Sequence, residues 1–314
     1  MCGIAGVLYK DKHGRQDVGC ALVEMLYGCQ HRGKDSTGFA LYHQKATDSH
    51  YIMRFKVAEQ EDLASGFDIH ETISQRKEAV NARLQELGAK VITAEDATEY
   101  AQRYTFDFDG DLKRLIDFIE DIDDVEILSV GKSLELVKDL GDSTEVSNQY
   151  GLNNFQGTHA IGHTRMATES DVDIRSAHPY WAYPFSDVSL VHNGQLTNYW
   201  GKRRGLERRG HRFMSNCDSE LIAVYIADRI DQGHSLEDAM SESIDELDGV
   251  FTYVVATRDA LGMAKDVMAA KPMVLYESDD LIALASEEVA IRSIFPHEIE
   301  TYDPYEGEVR VWQT

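Results

Sequence analysis

Positive charge is scarce in this sequence: 31 lysines and arginines stand against 55 aspartates and glutamates in 314 residues, a formal net charge of −24. Phosphate-rich partners are held by clustered Lys and Arg, so this balance argues against nucleic-acid or anionic-membrane binding. The one basic cluster, KRRGLERRGHR at 202–212, reads most simply as a solvated helix face. Cysteine is sparse too. Four in a chain this long (Cys2, Cys20, Cys29 and Cys217) make no disulfide framework, and none has zinc or iron–sulfur spacing. There is no run of ~18–20 uncharged apolar residues to span a bilayer. The opening MCGIAGVLYKDKHG holds too short an apolar run for a signal peptide. The expected location is cytoplasmic. With 5 prolines there is no Pro-rich linker, and repeats, P-loops and GxGxxG strings are absent as well. DFDGD at 107–111 fails as a calcium loop: with Gly110 in sixth place, Thr105 and Ile116 fall where carboxylates are needed. No metal site is expected.

What is present is a hydrophobic fraction of 43%, enough to core one large domain or two modest ones. Gly3 to Tyr9 reads as a buried strand, and Leu22, Met25, Leu26 and Cys29 share one face of a helix. Tyr51 to Val57, Lys90 to Thr93, Tyr100 to Phe108 and Val125 to Val130 read as strands. Two helices are interleaved with them, one carrying Ile73, Val80, Leu84 and Leu87, the other Leu112, Leu115, Ile116 and Ile119. That β-α-β-β-α-β order is the split arrangement of ferredoxin-like units, with the alternative that its first strand belongs to the main domain instead. Strand-like segments return at 159–163, 188–191, 251–257, 273–276 and 281–285, with a long helix at 219–231. The class is α+β with sandwiched sheets. Residues 1–57 and 151–314 are expected to form the main domain, and 58–150 an inserted α/β subdomain.

The chemistry begins at Cys2. A small second residue favours removal of Met1, which would leave a thiol of pKa ~8.5 beside an α-amine of pKa ~7.7–8.0. That amine can serve, directly or through water, as base for the thiol of its own residue. MCGIAGV is followed by QHRGKDSTG (30–38), GHTRMAT (162–168), AHPY (177–180), HNG (192–194) and CDSE (217–220). In that order these strings resemble the motifs of the class-II glutamine amidotransferases, which are N-terminal-nucleophile hydrolases. LASEEVAI at 284–291 looks like the family's late strand-to-helix turn. The resemblance covers about residues 1–57 and 151–295, and implies an αββα sandwich interrupted by the insert.

Carried over residue by residue, the resemblance makes Cys2 the nucleophile, and Asn193 (side chain) and Gly194 (backbone N–H) the oxyanion hole. Arg165 would grip the substrate α-carboxylate, a task suited to a bidentate guanidinium. Asp218 would pair with the α-ammonium, and Thr168 would add a substrate contact. His31, Arg32 and Gly33 match the loop that orders the backbone around the nucleophile. Because the terminal amine is the family's base, His163 and His192 read as structural. Lys34, Met166 and Glu169 depart from the proline, tryptophan and histidine of many relatives, without removing a group that thioester chemistry needs.

The activity implied is hydrolysis of L-glutamine to glutamate and ammonia. The chain holds no synthase module, so the resemblance also implies a separate ammonia-accepting synthase subunit. Glutamate-synthase-like and N-methylglutamate-synthase assemblies fit, with FMN and an iron–sulfur cluster on that partner and no cofactor in this chain. Two alternatives stay open: an independent N-terminal-nucleophile amide hydrolase, and a non-catalytic regulatory subunit.

Overall fold

The computed structural model describes residues 2–10, 17–43, 50–66, 68–166 and 174–314. The chain opens with β1 (Gly3–Tyr9), α1 (Val18–Gly28), β2 (Ser36–Tyr42), β3 (His50–Lys56) and α2 (Asp68–Glu86). It continues through β4 (Lys90–Asp96), β5 (Ala101–Asp107), α3 (Leu112–Glu120), β6 (Glu126–Gly131), β7 (Leu134–Leu140) and α4 (Ser143–Tyr150). Next come β8 (His159–Arg165), β9 (Tyr180–Trp181), β10 (Ser189–Leu196), α5 (Tyr199–Arg208), α6 (Asp218–Asp231) and α7 (Leu236–Glu246). The last part holds β11 (Gly249–Thr257), β12 (Ala260–Lys265), β13 (Val274–Glu277), β14 (Leu281–Ala285), α8 (Glu288–Arg292) and β15 (Val309–Gln313).

Two sheets, ordered β13-β14-β1-β8-β2-β7 and β15-β12-β11-β10-β9, stack face to face. The side-chain period of 2 explains why their strands are apolar on both faces. In β1, Ile4 and Leu8 enter the core between the sheets, where they join Val191 of β10 and Val254 of β11. Ala5 and Val7 point the other way, into a second core with Leu22, Met25 and Leu26 of α1. On the far side Leu190, Tyr253 and Val255 pack under Leu221, Ile222 and Ile226 of α6. The layering is the expected αββα sandwich.

The third sheet, β4-β5-β3-β6, is antiparallel throughout, and with α2 and α3 it forms the ferredoxin-like unit. Its boundaries differ from the sequence reading of 58–150. Strand β3 pairs with β5 and β6 and so lies inside the inserted unit. Strand β7 pairs with β2 in the six-stranded sheet, and α4 packs beside it, so 134–150 belongs to the sandwich. The insert thus runs from about residue 50 to 131.

Charge hid β7. Its Glu135 is buried against Arg54 at 2.7 Å and Arg103 at 2.9 Å, with His43 also on the carboxylate. Burial pushes that carboxyl up, but Arg54, His43 and Arg103 outweigh it and hold it well below the usual range. Buried Asp139 takes Tyr100 Oη at 2.7 Å, Tyr150 Oη at 2.6 Å and Lys56 Nζ at 3.4 Å. At the exit of the insert, Asp187 accepts backbone N–H groups from Lys132 at 3.0 Å and from Ser133 and Leu134 at 2.8 Å. The apolar core is continuous across the seam: Phe55, Val80, Tyr104 and Ile116 of the insert share one cluster with Ile4 and Val254. Among the described residues, no helix is long and apolar enough to cross a membrane.

The basic cluster at 202–212 lies mainly on α5, where much of its charge is matched within the chain. Lys202 pairs with Glu246 at 2.8 Å, Arg203 with Glu207 at 2.8 Å, and Arg209 with Asp228 at 2.5 Å.

Candidate active site

Cys2 stands just before β1, which lies in the middle of its sheet between β14 and β8. The half-buried residue lines a cleft of about 560 Å³ together with Arg165, Asn193, Gly194 and Asp218. These groups come from the N-terminus, the end of β8, the middle of β10 and the start of α6. Among the described residues, no cluster of His, Cys, Asp or Glu could hold a metal ion.

The Cys2 carbonyl is held from two sides, by Arg32 Nε at 2.9 Å and Asn193 Nδ2 at 3.2 Å. Arg32 is buried and ion-paired to Glu287, whose other oxygen meets His31 Nε2 at 2.8 Å. Gly33 continues this loop against the backbone of β8. A Cβ there would sit 2.3 Å from the Arg165 carbonyl carbon, so only glycine permits that approach. Ser286 lies beneath the N-terminus: its Oγ accepts from Ile4 N at 2.9 Å and from Asn193 Nδ2 at 3.4 Å. Ser286 and Glu287 both fall within the LASEEVAI string, but nothing in the string shows that they reach back to residues 2–32.

Gly194 has φ +148, and an added Cβ would meet Val250 O at 2.1 Å. A residue other than glycine there would displace the strand that presents Asn193. Arg165 Nη1 donates to Ser176 O at 3.2 Å, which fixes the guanidinium on the cleft wall. Asp218 Oδ2 accepts from Leu196 N at 2.9 Å. Thr168 and Glu169 lie outside the described residues.

Three histidines line the same cleft: His163, His178 and His192. Burial drives the His163 imidazole down to about 3, while its hydrogen bond to Asn193 opposes the shift. His178 is held well below the ordinary value, first by burial and then by its histidine neighbours. His192 is lowered by burial, against the pull of Asp218. A neutral ring at working pH makes none of them a cation for an oxyanion. Burial likewise raises the Cys29 thiol to about 12 and lifts that of Cys217, which leaves neither poised as a nucleophile.

Such rings affect acid stability. Buried His159, stacked on Tyr42 at 4.2 Å, is depressed to about 4 by burial. An unfolded chain takes up that proton near pH ~6.5, so folding stability falls as pH drops from there towards the folded value. Glu120, raised by burial to about 7, works in the opposite sense and offsets part of the loss. His159→Gln should therefore flatten the fall in unfolding free energy between pH ~6.5 and ~4.5 by about 1.4 kcal/mol per pH unit. Urea titrations across that range measure it; an unchanged slope would mean His159 is protonated in the folded protein.

A family model described as a glutamine amidotransferase domain matches residues 163–293. A provisionally named glutamine amidotransferase of Methanothermobacter thermautotrophicus is 41% identical over 318 residues, covering 100% of both chains. The glutamine amidotransferase-like protein GlxB of Rhizobium meliloti is 35% identical over 288 residues, covering 91% of this chain and 89% of its own. Among solved structures, the glutamine phosphoribosylpyrophosphate amidotransferase of B. subtilis superposes with a TM-score of 0.59 at 18% identity. That match covers 99% of this chain and 47% of the other, and is a likeness of fold.

Proposed function

The chain belongs to the class-II glutamine amidotransferases, and from that premise we propose that it hydrolyses L-glutamine through a thioester on Cys2. With Met1 removed, the free α-amine takes the thiol proton as Sγ bonds to the side-chain amide carbon. Asn193 and the Gly194 N–H bear the oxyanion. The C–N bond then breaks, and the departing nitrogen carries away the proton as ammonia. Water adds to the thioester, expels the thiolate and yields glutamate. The observation that carries this reading is convergence: Cys2, Arg165, Asn193, Gly194 and Asp218 line one cleft although they lie as much as 216 residues apart (218 − 2).

Arg165 and Asp218 suit the two charged ends of an amino acid, which favours glutamine over a simple amide. The grip of Arg32 and Asn193 on the Cys2 carbonyl favours a working nucleophile over a purely regulatory subunit. The ammonia would pass to a separate synthase subunit bearing flavin and an iron–sulfur cluster, as in glutamate-synthase-like or N-methylglutamate-synthase assemblies. What supports this is the family's habit of transferring the amide nitrogen rather than discarding it.

One experiment addresses both points. A tagged chain is isolated from the cells that express it and assayed on glutamine, asparagine and simple amides. Glutamine should be hydrolysed at least about tenfold faster than the others, a gap of ~1.4 kcal/mol in barrier, and a synthase subunit should co-purify. A preference for another amide would overturn the substrate, and isolation of the chain alone would overturn the partner.

A further inference from the structure

An amide side chain is nearly symmetric in shape, so something must decide which end of Asn193 faces the nucleophile. Its Nδ2 lies 3.2 Å from the Cys2 carbonyl oxygen, and its Oδ1 lies 3.2 Å from His163 Nε2. Turned about, the amide would set its oxygen against the Cys2 carbonyl, acceptor against acceptor, and no donor would face the reaction centre. We propose that His163 is a positioning residue whose Nε2–H locks Asn193 with its NH2 end towards Cys2.

The ring has one proton to place, because burial keeps it neutral. On Nε2 that proton meets Asn193 Oδ1. On Nδ1 it would leave a bare Nε2 facing the amide oxygen, acceptor against acceptor. The ring's own orientation is fixed by stacking on His178, centroid to centroid at 4.2 Å. His178 Nε2 lies 2.7 Å from Ser219 Oγ, and Ser219 Oγ lies 2.8 Å from His192 Nδ1. Ser219 immediately follows Asp218 on α6. The buried rings thus join the strand that presents Asn193 to the helix that presents Asp218, the two sides between which a substrate would lie.

The inference rests on the proposed glutaminase reaction, and the test separates the two. Wild type is compared with His163→Gln, His163→Asn and His163→Leu. A glutamine amide can place an N–H where Nε2 stands, whereas an asparagine amide reaches only the Nδ1 position. His163→Gln should keep kcat within about fivefold of wild type, while His163→Asn and His163→Leu should lose roughly 10–100-fold, part of the ~10²–10³ assigned to an oxyanion donor. KM should stay within about twofold in all three. Alkylation of Cys2 by iodoacetamide forms no oxyanion, and its rate should be unchanged. The Gln–Asn pair carries the test even if His163→Leu fails to fold. Equal losses in Gln and Asn, or a change confined to KM, would overturn the positioning role. A wild type inert towards glutamine would overturn the underlying reaction instead.

Discussion

Cys2→Ala should lower glutamine hydrolysis by roughly 10⁴–10⁶-fold, the scale on which an enzyme is left without its nucleophile. The structure offers no substitute thiol. Cys29 is fully buried with its thiol pushed up to about 12, and Cys20 sits on α1 outside the residues lining the cleft. Cys217 does line the cleft, but burial raises its thiol as well. A variant that retains Met1 should be almost as inactive, since acylating the α-amine removes the base. Mass spectrometry of active protein should find Met1 absent, and a glutamine-like electrophile should label Cys2 alone. Near-normal turnover by Cys2→Ala would end the thioester mechanism.

The next largest loss is expected at Asn193. Asn193→Ala should lower kcat by roughly 10²–10³ while leaving KM close to wild type, because the charge it meets exists only along the reaction path. Arg165→Met is the matched control: a contact to the ground-state carboxylate should chiefly raise KM. Asn193 also ties down the Cys2 carbonyl, so part of its loss would come from a looser N-terminus. Ser286→Ala apportions that part, since it removes an Asn193 contact and the Ile4 contact without touching the oxyanion position. Should Asn193→Ala raise KM with kcat intact, the side chain binds substrate and does not bear the oxyanion.

Strand β1 was legible because its apolar run is bounded and local, and α2, α3 and their strands because each buries one face at a regular period. Strand β7 was not. Its LELVKDL carries Glu135, Lys138 and Asp139, whose partners come from elsewhere in the chain: Arg54 and Arg103 for Glu135, Glu126 for Lys138, and Tyr100 for Asp139. The placement of β3 was ambiguous because pairing partners are not written in a strand's own residues. In the site, motif order pointed to Cys2, Arg165, Asn193, Gly194 and Asp218, which do share a cleft. The sequence left hidden the supports, Glu287 under Arg32 and Ser219 between two histidines. Those contacts span 255, 41 and 27 residues, and no local pattern encodes them.

The Asp187 seam bears on how such chains can be recombined. The loop between β9 and β10 supplies the accepting carboxylate, and the segment leaving the insert donates the three N–H groups. Moving residues 50–134 into a scaffold whose 185–188 loop lacks that carboxylate would strand backbone donors in a dry interior at roughly 1–3 kcal/mol each. That is a large share of the ~5–15 kcal/mol that keeps a domain folded. The two stretches therefore form one unit of inheritance although more than fifty residues separate them, Ser133 from Asp187 by 54. Substitutions on one side of the seam should be tolerated only with compensating changes on the other.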